Sequence, residues 1–405
     1  MSGDVSTRMQ FGVFLGPLHR PGTNPTWELE RDLQMIQRLD ELGFDEAFIG
    51  EHHSSGWEII GSPEVFIAAA AERTKHIHLA TGVVSLPYHH PLMVAERLVL
   101  LDHLTRGRVT LGVGPGALPS DASMMGLDYS TLRERMEESL EAVLALLTDD
   151  GFVDRKTDWF ELRRAQLQML PYTRPRPEVA VTALASPSGP RLAGRLGLPM
   201  LALAAGTPAG QQVLAQHWGI YTDELRAAGH PEADRSRWRL VSPVHVAPTR
   251  QTAEDEVSYA IDDAARYFFR DANVLTSVLK ENNLPPDAPR LDVWRASGMG
   301  CIGSPQDVIE HIEKLQEVSG GFGKFLIFVQ DWADADATLR SLELFAREVM
   351  PHFQDSARRR EENWGWFSNS EDDFQRDIGA ANARARAHYE QSKRERERAR
   401  EEAGA

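Results

Sequence analysis

Cysteine is almost absent: Cys301 is the only one in 405 residues. No internal disulfide can form, and Cys-based zinc or iron–sulfur chemistry is excluded. Long apolar runs are missing too. The longest, about ten residues from Leu196 to Ala205 and interrupted by Pro199, is far below the roughly 20 that a membrane helix needs. Basic excess is lacking, since Lys and Arg number 44 against 60 Asp and Glu, a net charge of −16. Non-specific affinity for nucleic acid or an anionic membrane is therefore not expected. Met1–Val5 has neither the basic start nor the apolar stretch of a signal peptide, so a cytoplasmic location is expected. With 42% hydrophobic and 26% charged residues, the chain has the material for a sizeable soluble core.

A repeated punctuation is present. Leu29, Leu33, Ile36 and Leu39 recur at helical spacing, Gly43 closes the run, and Phe44–Ile49 follows as a strand. The pattern returns around Gly107 and Gly197, the αβ half of a βαβ unit. About eight strands are predicted, near 10–15, 45–50, 77–84, 109–114, 178–183, 199–204, 239–246 and 324–329. They are short apolar runs without alternation, as expected where both faces are covered. Helices are predicted over 27–42, 63–73, 91–104, 131–148, 252–269 and 304–318, the last with Ser304 as cap and Pro305 at its first position. The fold class this implies is α/β, a (β/α)8 TIM barrel. The gaps 115–177 and 247–323 read as insertions on βα loops. The barrel is assigned 1–352, and 353–405 forms a charged C-terminal helical arm with 11 basic and 12 acidic side chains. Those charges nearly cancel, so the acidity belongs to the barrel. The segment reads as a solvated helical extension or a partly disordered arm; Trp364, Trp366 and Phe367 point to packing, on a second subunit or elsewhere, with a merely tethered segment the equal alternative.

Parallel barrels place their chemistry at the C-terminal ends of strands. There the chain has Gly16-Pro17-Leu18-His19, Gly50-Glu51-His52-His53, Thr81–Pro91 running through His89 and His90, Gly112–Gly116, and Val181–Gly189. The histidines invite a metal, but adjacent side chains in extended chain point apart, and no His-x-His or His-Glu-x-x-His is present. No metal site is expected. His53, His89 and His90 read as loop or helix-entry hydrogen-bonding groups. His52, at a strand terminus beside Glu51, is evenly placed between a satisfied core histidine and a functional one. Gly112-x-Gly114-x-Gly116 is a poor dinucleotide fingerprint; its steric reading, close approach of a flat ligand or a phosphate, is better. Ala185-Ser186-Pro187-Ser188 precedes a helix and suits either an anion or an ordinary cap.

Taken in order, Gly50-Glu51-His52-His53, Thr81–Pro91 leading into Ala95-Glu96, Gly107–Gly114 and Cys301–Pro305 resemble the bacterial luciferase-like flavin monooxygenases over about residues 9–350. Gly114–Asp121 is most similar to the limonene and diketocamphane monooxygenase branch. The resemblance implies FMN, used as FMNH2, with O2 as co-substrate, a C4a-peroxyflavin, and oxygenation of a small, mostly apolar substrate by epoxidation, hydroxylation or Baeyer–Villiger chemistry. It implies His52 as the catalytic residue. Flavin contacts are implied for Leu15, Gly16, Glu51, Thr81, Gly82, Val83 and Gly114, with a cis Gly82–Val83 bond in some relatives. The luciferases hold the phosphate with an arginine where this chain has Pro115, and with a Glu-Ser pair where it has Ala183-Leu184. The phosphate then falls to Ala185, Ser186 and Ser188. Trp27, Trp57 and Ile59 are candidates for the substrate pocket, with loop anchoring the equal alternative. No nicotinamide site is visible, so a separate NAD(P)H:flavin reductase is the expected partner, and a homo-oligomer is expected. The alternatives are an F420-dependent oxidoreductase of the same fold and a non-catalytic flavin-binding barrel.

Overall fold

The computed structural model describes residues 8–148, 150–268 and 272–404; the leader reading of Met1–Val5 lies outside them. Eight parallel strands close on themselves: β1 (Gln10–Leu15), β2 (Glu46–Ile49), β3 (His78–Thr81), β4 (Val109–Gly114), β5 (Glu178–Ala183), β6 (Met200–Ala202), β7 (Arg239–Val246) and β8 (Lys324–Val329). Each pairs with the next in chain order. Closure is made where Gln10–Leu15 runs in register with Lys324–Val329. A helix follows every strand: α1 (Pro25–Leu42), α2 (Pro63–Ala71), α3 (Pro91–Thr105), α4 (Leu132–Leu146), α5 (Ser188–Arg195), α6 (Pro208–Ala227), α7 (Pro305–Ser319) and α8 (Ala335–Leu344). This is the (β/α)8 barrel.

Local chemistry sets the boundaries. The side chain of Asn24 accepts from Thr26 N at the start of α1, Pro25 opens it, and Gly43 ends it at φ 81°. Ser304 and Asp307 form a reciprocal capping box on α7. Along the strands, alternation separates two cores. Phe11, Val13 and Leu15 face the helices within the main cluster. Phe14, Phe48, Ala80, Leu201, Val241 and Leu326 form the plug inside the barrel. Phe48 is fully buried there, so truncation to alanine costs about 3–5 kcal/mol.

Beneath the plug lies an ionic floor. Arg239, 1% exposed, donates to both oxygens of Glu46 at 2.7 and 2.9 Å and also to Glu178, while Lys324 reaches Glu46 at 3.2 Å. Burial opposes charge on both glutamates, but Arg239 and Lys324 outweigh it and hold both carboxyls low, Glu178 at about 2. The bottom of the barrel is thus plugged by charge and the interior by rings, leaving the strand C-termini for a ligand.

The two long gaps resolve differently from the sequence expectation. Residues 132–146 of the first are the barrel's fourth helix, and the hairpin Val153–Lys156/Glu161–Ala165 comes after it. That hairpin is therefore on the αβ side, packed beside α4 through Arg155–Glu141 and Trp159–Glu138. Only 115–131 inserts on the βα side. The second gap does insert there, as helices Arg250–Val257, Ile261–Phe268, Ala272–Glu281 and Arg290–Ser297, and Cys301–Gly303 pairs with β7. The single helix expected over 252–269 is broken at 258–260, and 269 lies outside the described residues.

The chain divides after Gln354 into two compact units. The second is a pair of helices, Arg358–Asn369 and Glu371–Ala403, with no buried side chain. Within it Trp366 and Phe367 meet Phe374 at 5.2 and 5.6 Å between ring centres.

Candidate active site

The rim is built first from glycine. Register carries Leu15 onto Ile49 and Ile49 onto Thr81. One step further, Gly50 N donates to Leu15 O at 2.8 Å and Gly82 N to Ile49 O at 2.5 Å. Gly16, Gly50 and Gly82 thus stand abreast just past the ends of β1, β2 and β3, with Gly112 and Gly114 beside them on β4. Thr81 Oγ1 ties this edge together by donating to Gly112 O at 2.7 Å. The Gly82–Val83 bond is cis, as the resemblance implied, and Val84–Ser85 then pairs with Val113–Gly114. Four neighbouring strand ends thus carry glycine, where backbone can be approached closely, with Val83, Phe14, Phe48 and Phe328 packed against them. Leu15 does not join it. Its side chain is buried on the helix side and lines a cavity of about 170 Å³ with Met35, Trp27 and Leu339 between α1 and α8.

The histidines that follow β2 and β3 sort into two sets. Glu51, 3% exposed, accepts from His53 Nε2 at 2.9 Å and His89 Nε2 at 2.8 Å on one oxygen, and from Ser85 N at 2.9 Å on the other. Burial opposes charge on Glu51, but these bonds and the proximity of His89 outweigh it and hold the carboxyl below its usual range. The bond to Glu51 in turn raises His53. The three ligand atoms lie within 4.8 Å of one another, a grouping that a test of adjacent pairs could not reveal, and the contacts themselves are imidazole-to-carboxylate hydrogen bonds. His90 caps α3, accepting from Leu92 N at 3.3 Å. Tyr88 is half-buried, its hydroxyl oxygen is buried without a hydrogen-bond partner, and burial pushes it up to about 12.

His52 forms the other set, and Glu51 does not orient it. Nδ1 lies 3.0 Å from Asp121 Oδ2, and Nε2 lies 3.2 Å from Glu58 Oε2. Asp121 comes from the short helix Pro119–Met124 after β4. Its other oxygen accepts from His53 N at 3.2 Å and from Ser54 Oγ. Glu58 lies on the loop after β2, where Tyr267 of the inserted helix Ile261–Phe268 donates to its Oε1 at 2.5 Å. Both ring contacts are hydrogen bonds only if the trio holds one proton beyond a neutral imidazole and two carboxylates. That proton sits either on the second ring nitrogen or on a carboxyl oxygen.

Asp121 was present in the segment Gly114–Asp121, but nothing in its spacing tied it to His52. Glu58 and Tyr267 were missed outright, being 209 residues apart. Of the pocket candidates, Trp57 packs in a tilted arrangement near Tyr267, at 5.3 Å between ring centres, and its carbonyl accepts from His19 N at 2.8 Å. Ile59 N donates to Pro17 O at 3.4 Å. These two stand beside Glu58. Trp27 does not: it is 55% exposed on the first turn of α1, 5.6 Å from the guanidinium of Arg31.

At β5 the hydroxyls of Ser186 and Ser188 are 2.8 Å apart, where the chain enters α5. Beneath this loop His217, 2% exposed, is bonded to the Ala185 backbone and has no partner for Nδ1. The nearest arginine in sequence, Arg191, lies 3.6 Å from Glu137.

Residues 9–320 match the model of the luciferase-like monooxygenases. The chain belongs to that family. This luciferase-like monooxygenase is 43% identical over 364 residues to limonene 1,2-monooxygenase of Rhodococcus erythropolis, covering 90% of this chain and 91% of that protein. It is 44% identical over 369 residues to 4-hydroxyprotoasukamycin monooxygenase of Streptomyces nodosus subsp. asukaensis, covering 89% and 96%. Among solved structures it resembles the oxygenating constituent of 3,6-diketocamphane monooxygenase of Pseudomonas putida, a type II Baeyer–Villiger enzyme in complex with FMN. There the TM-score is 0.73 at 29% identity, covering 85% of this chain and 99% of that one. No helix among the described residues of the luciferase-like monooxygenase is long and apolar enough to cross a membrane.

Proposed function

We propose that this luciferase-like monooxygenase is the oxygenase of a two-component system. It takes FMNH2 from a separate NAD(P)H:flavin reductase, uses O2 as co-substrate, and places one oxygen atom on a small, mostly apolar molecule. The observation that carries the reading is His52, held at both ring nitrogens by carboxylates beside a rim of glycines. The residues present fit FMN. Gly16, Gly82 and Gly114 leave backbone for the ring system, while Ser186, Ser188 and the free N–H groups of the first turn of α5 suit the phosphate. Bound reduced FMN supplies the electrons that activate O2.

This chain's own residues do the rest. Thr81 and the Gly82–Val83 edge position the flat ring. His52 gives or takes a proton at Nε2, the nitrogen turned toward Glu58, while Asp121 fixes the ring through Nδ1. Trp57 and Ile59 supply apolar surface next to it. The two relatives above 40% identity include one named for limonene, a hydrocarbon with carbon–carbon double bonds, so an alkene-bearing terpenoid is the first substrate to assay and a cyclic ketone the second.

The test combines the chain with reductase, NADH, FMN and 18O2. The expected result is a product carrying one labelled oxygen, tighter binding of reduced than of oxidised FMN, and no NADH oxidation until the reductase is added. NADH consumption by the chain with FMN alone would refute it. Substrate reduction by reduced F420 without O2 would replace it with the deazaflavin reading.

A further inference from the structure

Glu58 stands out because the chemistry at the rim does not otherwise require it. It is a second carboxylate on a histidine that Asp121 already orients, and it is tied to an element from far along the chain. Its side chain is 10% exposed, with one oxygen 3.2 Å from His52 Nε2 and the other accepting from Tyr267, itself 9% exposed. Tyr267 is carried by the insertion after β7. That insertion is anchored independently: Ala260 N donates to Trp332 O at 3.0 Å after β8, and Arg20 after β1 donates to Tyr259 Oη at 2.7 Å. The loop that bears Glu58 is fixed as well, by Trp57 O accepting from His19 N and by Trp57 packing on Tyr267. A carboxylate so placed can receive a proton from Nε2 or return it without either group moving, because the contact is already at hydrogen-bond distance.

Resting on the reading above, we infer that Glu58 is the proton partner of His52 at Nε2, and that Tyr267 is the positioning residue through which the inserted helix sets that pair. Among the described residues, Asp121 and Glu58 contact His52; Tyr267 is one of the groups on Glu58, and Asp121 meets Ser54 and the His53 backbone and lies within electrostatic reach of the His53 ring and Tyr88. The Glu51–His53–His89 set is the neighbouring titratable group. A tyrosine hydroxyl donating to one carboxylate oxygen favours the charged carboxylate. Losing it should make Glu58 keep its proton to higher pH and leave His52 a weaker acceptor.

Two readouts separate this inference from the functional reading. The first needs neither flavin nor turnover: ring-nitrogen NMR shifts of His52, assigned by loss of signal in His52→Ala, followed across pH in the full chain. Glu58→Gln, which keeps size and polarity but cannot carry the proton, should move the His52 titration midpoint by about one pH unit, a tenfold change in its proton equilibrium. Tyr267→Phe should move it less, and should add nothing in the Glu58→Gln background, since the two act in series. Tyr259→Phe, which removes a different hydroxyl anchor of the same insertion, should leave it in place. The second readout is coupled product formation, expected to fall about 10–100-fold in Glu58→Gln, at the low end of proton-transfer catalysis, with reduced-FMN affinity kept within threefold. An unmoved His52 titration in Glu58→Gln overturns the inference, as does an equal shift in Tyr259→Phe and Tyr267→Phe. If the wild type makes no oxygenated product while the NMR shifts behave as expected, the functional reading fails and the His52–Glu58–Tyr267 coupling stands.

Discussion

Arg239→Met tests the ionic floor of the barrel. The substitution keeps an unbranched apolar stem but leaves Glu46 and Glu178 facing each other across β2 and β5 with Lys324, among the described residues, as the other cation touching Glu46. Removing one member of a buried pair costs about 3–5 kcal/mol at neutral pH. Glu178 gives a second route to the magnitude. Its carboxyl is held at about 2 against an ordinary 4.5, and at about 1.4 kcal/mol per pH unit the difference is roughly 3 kcal/mol. The quarter of the side chain open to solvent lowers this somewhat. Both carboxyls are depressed in the folded state, so their contribution is full above the unfolded value near 4.5 and is lost as pH falls through their lowered folded values, about 2 for Glu178. In Arg239→Met the carboxyls protonate at higher pH, and neutral acids tolerate burial. Urea midpoints of wild type and variant should differ most at pH 7. The gap should narrow by about 1–3 kcal/mol by pH 3.5, a little over one kcal/mol for each carboxyl per unit below 4.5. His78 and Arg237 lie nearby and are common to both proteins. A gap of the same size at both pH values would show that the floor works by packing and not by charge.

Four further outcomes are expected. His52→Ala should lower product formation by about 10²–10⁴-fold with little change in reduced-FMN affinity, whereas His53→Ala should act mainly on stability by removing a partner of buried Glu51; equal activity losses would end the assignment. Ser186→Ala with Ser188→Ala should weaken FMN but leave riboflavin, which lacks the phosphate, unchanged; equal losses would move the phosphate elsewhere. Removing 368–405 should keep flavin affinity within about threefold, roughly 0.7 kcal/mol, measured by anaerobic titration. Cys301, whose thiol burial pushes up to about 12, should resist a disulfide reagent at pH 8 in the native protein and react once unfolded.

Periodicity made the barrel readable because covered strands and amphipathic helices leave different spacings in the chain. Gly43 and Ser304 marked element ends through backbone chemistry that acts within a few residues. The segment 153–165 was counted within a βα insertion because α4 was counted inside that gap, although its residues had the right helical spacing, and the hairpin it forms was not read. At the site, the residue types were visible and their partners were not. Glu51 was read as the companion of His52 because they are adjacent, yet extended chain turns neighbouring side chains apart. Its actual partners are two residues on and on the next strand's loop. Leu15 was read as a ligand contact for its position at a strand end, but alternation turns it outward. Asp121 reaches His52 from the end of β4, and Tyr267 reaches Glu58 from the insertion after β7, so the folded barrel is needed to bring them to a loop that already carries His52 and Glu58.

The glycine rim limits how this enzyme can be re-engineered. Its glycines are crowded by the protein before any ligand arrives: a methyl group on Gly82 would meet Phe48 Cβ at 2.9 Å, one on Gly16 would meet the Phe328 ring at 2.8 Å, and one on Gly112 would collide with the Thr81 carbonyl. A library that randomises these positions to reshape the binding surface would return mostly misfolded clones. Diversity belongs instead on Ile59 and on positions of the inserted helices after β7 other than Tyr267, which lie outside the glycine platform. Substrate range in such a scaffold can then drift while the platform beneath it stays fixed.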